Sequence, residues 1–408
     1  MAQPTLLRAR PGFFLLGPAF VAAVAYVDPG NVAANVSAGA QYGFLLVWVI
    51  VLANVMAGLV QYLSAKLGLV TGTSLPEAIG ARMSRPTRLT YWAQAEAVAM
   101  ATDLAEVVGG AIALHLLFDL PMLTGGVITG VVSLMLLVVK DWRGQQIFER
   151  VISGLLLVIA IGFVTSIFVE PPPPGELVGG LLPRFDGAES VLLATAMLGA
   201  TVMPHAVYLH SGLSRDRHGR SDTPERLRRL LRITRWDVAL AMLVAGAVNM
   251  SLLLVAATNL QGRDDTDSIE SAHAAVADAL GPAVALCFAI GLLASGLASS
   301  SVGAYAGAMI MDGLLNRKIP LVARRVITLI PALVVLGTGI DPSRALVISQ
   351  VVLSFGIPFA LIPLIRLTSD RRLMGIDTNH RVTTTLGWAV GGIITLLNVV
   401  LIYLTVTG

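Results

Sequence analysis

Charge is scarce in this chain of 408 residues. Asp, Glu, Lys and Arg make up 13% of it and hydrophobic residues 55%, whereas an ordinary soluble domain carries roughly 25% charged residues. So few charged groups cannot coat a water-soluble core of that size, which excludes intrinsic disorder and nearly every soluble enzyme class. Cysteine is almost missing. The single one, Cys287, lies in an apolar run and cannot close an intramolecular disulfide, so a disulfide scaffold is excluded and the redox compartment is unreadable. No HExxH pattern occurs, which removes the commonest mark of a zinc hydrolase. Nor does the first apolar stretch, from about Phe13, end in a small-residue cleavage site. It runs into Asp28-Pro29-Gly30-Asn31 and reads as a retained membrane segment, not a signal peptide. The class left standing is an all-α polytopic membrane protein.

About 20 apolar residues are needed for a helix to cross the hydrocarbon layer. On that rule eleven transmembrane helices are expected, near 13–38, 42–68, 89–116, 121–140, 151–169, 189–213, 236–259, 270–312, 320–339, 343–367 and 383–406. The eighth is too long for one straight crossing and must tilt strongly or extend past the bilayer. With the N-terminus placed in the cytoplasm and the sides alternating, all but three of the 28 Lys and Arg residues fall inside. They include Arg8 and Arg10, Lys66 and Arg82, Lys140, a block from Arg215 to Arg235, the run Arg317, Lys318, Arg324 and Arg325, and finally Arg366 to Arg381. Only Arg184, Arg263 and Arg344 lie outside. This charge bias predicts a multi-pass protein of the cell (inner) membrane with its C-terminus outside. The outer loops carry acids instead, such as Asp264, Asp265, Asp267 and Glu270. Pro171 to Pro174 should stiffen one outer connection as an extended spacer. Ser74 and Glu77 are spaced as a capping box opening a short interfacial helix. The basic block at 215–235 is expected to face anionic lipid, with no nucleic acid as partner.

Two expected spans depart from plain Leu/Val/Ala/Gly text. Span one holds Asp28-Pro29-Gly30-Asn31 near its middle, and span six holds Ala200-Thr201-Val202-Met203-Pro204-His205. Proline removes an amide donor and clashes with the preceding turn, so both helices should unwind there. Unwound backbone survives at membrane depth only inside protein or beside an aqueous cavity. Breaks in spans one and six fit a five-plus-five inverted repeat, about 13–169 and 189–367 with an extra helix near 383–406, and put the binding site between the breaks. Pro18, Pro282, Pro331 and Pro358 read as ordinary kinks. A midplane aspartate costs about 2.5–3.5 kcal/mol on insertion scales, which makes Asp28 a candidate functional residue.

The groups converging there are the Asp28 carboxylate, the Asn31 amide oxygen, the Met203 thioether and carbonyls freed by unwinding, such as those of Ala25 and Ala200. Neither segment has an arginine or lysine to meet an anion, so the set suits a cation. A thioether is soft and gives Mg²⁺ or Ca²⁺ almost nothing, which favours Mn²⁺, Fe²⁺, Co²⁺ or Cd²⁺. With these two signatures, "DPGN" and "MPH", the sequence resembles the Nramp family of divalent-metal transporters over essentially its whole length. The resemblance implies a LeuT-type fold and proton-coupled import of Mn²⁺ and Fe²⁺. It also implies metal ligation by Asp28, Asn31, Met203 and the Ala200 carbonyl, with Ala25 contributing in some conformations. Gln350, in "ISQVVLSFGIPF", matches a position that approaches the metal. The metal is cargo, and no cofactor is expected.

Span three carries Glu96, Asp103 and Glu106 at separations that place all three on one helical face. Three membrane acids on one face are expensive for structure alone. Glu96 is expected to pair with a basic group such as Arg324 or Arg325, and Asp103 and Glu106 to relay protons. His205 and His210 are candidates for an orienting or proton-linked role, since histidine titrates near neutral pH. The resemblance likewise implies a polar network of Asp103, Glu106, His205, His210 and Arg325 leading from the metal towards the cytoplasm. An amino-acid or sodium symporter of the same fold, a membrane metalloenzyme and a cation channel are the rivals. The Asp facing Met, the missing catalytic motif and the paired breaks respectively argue against them. The functional unit is expected to be a monomer in contact with lipid and not an enzyme.

Overall fold

The computed structural model describes residues 17–169, 171–219, 223–262, 268–317 and 321–407, and among them all regular structure is helical. Arg8, Arg10, Lys318, Arg263, Asp264, Asp265 and Asp267 lie outside the described residues. The first half comprises α1 (Pro18–Val24), α2 (Pro29–Tyr42), α3 (Val47–Thr71), α4 (Leu75–Gly80), α5 (Arg85–Phe118), α6 (Met122–Arg143), α7 (Gln145–Val169) and α8 (Pro174–Gly179). The second comprises α9 (Gly187–Thr201), α10 (Pro204–His218), α11 (Pro224–Asn259), α12 (Ile269–Leu280), α13 (Pro282–Leu315), α14 (Leu321–Thr338), α15 (Pro342–Ser369), α16 (Arg371–Met374) and α17 (Arg381–Thr407).

Eight segments are long and apolar enough to cross a membrane: α3, α5, α7, the α9–α10 pair, α11, α13, α15 and α17. Shorter helices occupy the other three expected positions: α1 with α2, α6 and α14. The expected eighth span is corrected. Gly281, at φ 89°, ends α12, and Pro282 opens α13 as its first residue. Proline is tolerated there because the first amides of a helix have no intrahelical acceptor anyway. Pro18 likewise opens α1, whereas Pro331 and Pro358 sit inside α14 and α15. The Ser74–Glu77 capping box forms at α4. The proline run does not stay extended throughout, because Pro174 already begins α8.

The core is built on α13, which packs against both α5 and α7. Its Gly296 lies against Gly110 of α5, where an added Cβ would stand 3.0 Å from the Gly110 backbone. Membrane helices lack a hydrophobic drive towards one another, so such small residues let dispersion contacts do the packing. Not every inner-side cation is a surface charge. Arg324, Arg325 and Lys66 are buried, bonded to Glu96, Asp103 and Asn379 respectively.

Candidate metal site and polar route

Both interrupted helices break next to a proline, the first a few residues earlier than its motif suggests and the second inside its motif. In the first, α1 gives way to a 3-10 turn, Ala25–Val27, and Asp28 is extended at φ −69°, ψ 166°. Pro29, Gly30 and Asn31 already belong to the first turn of α2. In the second, Val202 and Met203 leave the helical region and Pro204 opens α10. The reason is the same in both: proline fixes a helical φ and needs no donor, so it starts a half-helix and pushes the unwinding onto the residues before it.

Asp28 caps α2, its Oδ1 accepting the Asn31 backbone N–H at 2.8 Å. Its Oδ2 accepts from Gln350 Nε2 of α15 at 3.4 Å. Asn31 Nδ2 donates to the Ala200 carbonyl at 2.7 Å, joining the two breaks. Met203 is the residue capping α10. Asp28, Asn31, Ala200 and Met203 are each 0% exposed, so the site is closed to both sides, and Ala25 is buried in the turn beside it. Asn31 Oδ1 and Gln350 Oε1 are buried oxygens without a hydrogen-bond partner, and Asp28 adds an anionic one. A cation satisfies such groups. The carbonyl end of α9 at Ala200 adds negative potential, while the N-termini of α2 and α10 oppose it, and the Asp28 carboxylate tips the balance.

Among the described residues no group of three or more His, Cys, Asp or Glu could hold a metal ion. The candidate set has one carboxylate, one carboxamide, one thioether and main-chain oxygen, which is a weak donor set suited to reversible binding.

The remaining predicted residues form two separate arrangements. On α5, Asp103 pairs with Arg325 at 2.5 Å and Glu96 with Arg324 at 3.0 Å. Asp103 is therefore ion-paired as well as Glu96. Arg325 also donates to Ser133 Oγ at 2.9 Å and to Ser300. Glu106 is 0% exposed, and among the described residues neither carboxyl oxygen has a hydrogen-bond partner. Gly303 of α13 leaves it room, since a Cβ there would come within 3.0 Å of Oε1. His205 Nδ1 stands 3.4 Å from Thr102 Oγ1. His210 is placed elsewhere: its Nδ1 contacts Gln61 Oε1 at 2.6 Å, and Gln61 donates to the Tyr26 hydroxyl in the first break. A carboxamide oxygen only accepts, so His210 donates through Nδ1 and keeps Nε2 as a bare acceptor.

Several of these partners escape sequence reasoning. Asn249 of α11 donates to the Tyr26 carbonyl at 2.9 Å and Ser295 of α13 to the Val27 carbonyl at 2.6 Å. These side chains satisfy main-chain groups that unwinding exposes, which buried backbone requires. Gln61, inside "LVQYLSAK", was the readable signal, a carboxamide in apolar text.

Glu77 lies outside the spans. Burial raises its pKa, but bonds from Arg215 and the Ser74 backbone outweigh that and hold the carboxyl below the usual range.

Residues 19–404 match the family model described as Nramp, natural resistance-associated macrophage protein-like. Over 408 residues the chain is 69% identical to the divalent metal cation transporter MntH of Mycobacterium tuberculosis, covering 100% of this chain and 95% of that protein. It is also similar to a crystal structure of a histidine-to-alanine variant of the Eremococcus coleocola manganese transporter. There the identity is 30% and the TM-score 0.85, over 97% of this chain and 88% of that one. A remoter likeness, at 16% identity and TM-score 0.59 over 96% of this chain and 92% of the other, is to a nucleobase-cation-symport-1 family transporter and shows the fold alone.

Proposed function

The chain belongs to the Nramp family, and on that premise we propose that it imports divalent transition-metal ions in symport with protons. Mn²⁺ and Fe²⁺ are the cargo, with Cd²⁺ and Co²⁺ also accepted, and the cycle is alternating access on a LeuT-type fold. The carrying observation is the Asn31–Ala200 hydrogen bond of 2.7 Å, because it draws both breaks and the Asp28 carboxylate into one closed site. The relatives named as divalent metal cation and manganese transporters support the cargo class.

In this reading the metal reaches Asp28, Asn31, Met203 and the Ala200 carbonyl from outside, with Ala25 and Gln350 approaching in particular conformations. Asn31 and Gln350 then turn their orphan oxygens to the ion. The charge of the ion drives the proton off Asp28. The proton passes towards Asp103 and inward along the network with Glu106, Arg325 staying protonated and holding Asp103 in place, His205 and His210 orienting the halves of the route and Glu96–Arg324 closing its inner end. Rocking of the two broken helices against the scaffold opens the inner side. With the expected eleven crossings and the Lys/Arg bias, the N-terminus lies in the cytoplasm of an inner membrane and the C-terminus outside, and a single copy is the transporting unit.

Proteoliposomes loaded with a metal-sensitive and a pH-sensitive dye test this. External Mn²⁺ should produce metal uptake and internal acidification together, both abolished in Asp28→Ala. Metal uptake with no proton influx overturns the coupling, and no uptake of any transition metal overturns the function.

A further inference from the structure

A solvent-filled cleft of about 470 Å³ opens where α15 hands over to α17, lined by Arg371, Gly375, Ile376, Thr378, Asn379, His380 and Arg381. It shares no lining residue with the metal site. The segment 366–381 carries four arginines (Arg366, Arg371, Arg372 and Arg381) against two aspartates. Neither aspartate answers a guanidinium here. Asp370 spends Oδ1 on the Arg372 backbone N–H at 2.8 Å, and among the described residues no ion pair joins Asp377 to a guanidinium. Four other arginines have partners: Arg215 with Glu77 and Asp216, Arg217 with Glu149, Arg228 with Glu225 at 3.1 Å, and Arg235 with the Tyr62 hydroxyl at 3.1 Å. Among the described residues no ion pair or side-chain hydrogen bond holds Arg371 or Arg381, and both are exposed, as is Arg372.

The cleft is fixed in shape. Asn379 binds Thr368 twice, through its backbone N–H at 3.0 Å and its side-chain amide at 2.8 Å, and accepts from Lys66 Nζ at 2.9 Å. Thr378 Oγ1 donates to the Gly375 carbonyl at 2.7 Å. An apolar margin continues from it. Ile376 is 91% exposed at the loop tip, and Val382 and Leu386, one turn apart on α17, are exposed on one helical face. Unpaired guanidinium groups over a lipid-facing apolar helix match a molecule with an anionic head and hydrocarbon tails.

We propose that this cleft is a binding site for the phosphate head of an anionic glycerophospholipid, held by Arg371 and Arg381 while its acyl chains lie along Val382 and Leu386. It pins the α15–α17 connection to the inner leaflet. The identity of that leaflet rests on the orientation proposed above.

The test is native mass spectrometry of the full chain, stripped of lipid in nonionic detergent and titrated with short-chain phosphatidylglycerol or phosphatidylcholine. Phosphatidylglycerol adducts should dominate, and Arg371→Gln and Arg381→Gln should each weaken them about fivefold, the worth of one basic group at an anionic surface. Arg228→Gln, which removes an exposed arginine outside the cleft, should leave them unchanged. Equal retention of the two lipids, or an equal loss in Arg228→Gln, overturns the site. Displacement of phosphatidylglycerol by millimolar inorganic phosphate overturns the lipid as occupant and makes the cleft a soluble-anion site. Orientation is checked separately by labelling Ile376→Cys, in a Cys287→Ser background, with an impermeant maleimide. Labelling in intact cells overturns the inner-leaflet placement while leaving the micelle result standing.

Discussion

Asn31 donates its side-chain amide to the Ala200 carbonyl at 2.7 Å, across 169 residues of chain. The bond closes the gap between a half-helix that starts and one that stops. It uses the nitrogen of Asn31 and leaves the oxygen without a partner. In the proposed cycle this amide rotates, giving up one carbonyl contact to face a cation.

The proposed ligand set gives Met203 the choice of cation. Met203→Ala should lower Cd²⁺ uptake most, Mn²⁺ uptake less, and weaken the discrimination against Mg²⁺, because the thioether helps soft ions and offers hard ones almost nothing. Competition of each ion against Mn²⁺ in proteoliposomes reads this directly. Unchanged selectivity removes the sulfur from the proposed ligand set.

Gly30 must stay bare. A Cβ there would overlap the Gln350 side-chain amide, and overpacking of this kind typically costs about 1–3 kcal/mol. Gly30→Ala should displace Gln350 from Asp28 and cut Mn²⁺ uptake strongly while the protein still elutes as a folded monodisperse species. Gly30→Ala with Gln350→Ala should recover thermal stability, which a double-mutant cycle on melting temperatures will register.

The two buried acids one turn apart should behave oppositely. Asp103→Asn leaves Arg325 buried beside a neutral partner, and breaking such pairs costs about 3–5 kcal/mol. Glu106→Gln removes a carboxyl whose oxygens have no partner, so stability should hold or rise while proton influx falls. Thermal melts followed by dye-based flux measurements separate the two effects. Equal destabilisation by both substitutions contradicts the assignment.

Glu77 gives a pH signature outside the membrane. Its carboxyl is held below the ordinary range in the folded protein, so it stabilises above the unfolded value near 4.3. That contribution is lost as pH falls through the lower folded value. Glu77→Gln should melt earlier than the parent at neutral pH, and the difference should vanish towards pH 3. A gap that persists there assigns the effect to packing instead.

Much of the site was legible because the membrane makes exceptions costly. Asp28, Pro29, Met203 and Pro204 stand out in apolar text, as do Glu96, Asp103 and Glu106 on one helix face. Asn249 and Ser295 were not legible. Both are common in apolar helices, and only the position of the first break gives them a carbonyl to cap. The division at Gly281-Pro282 was available in the sequence, but the apolar run on either side masked it. Arg324 and Arg325 were legible as candidate partners of the acids, but which acid each one meets was not, because that depends on how their helix packs against the acid-bearing one.

The sequence by itself determined the membrane class, the family, the two breaks and the residues they expose, because each follows from local rules of hydrophobicity and proline geometry. Only the tertiary structure decided the pairings: Asn31 to Ala200, Asp103 to Arg325 and His210 to Gln61, and the partnerless Glu106. Those pairs lie 169, 222 and 149 residues apart, and no local preference encodes contacts set by how whole helices pack.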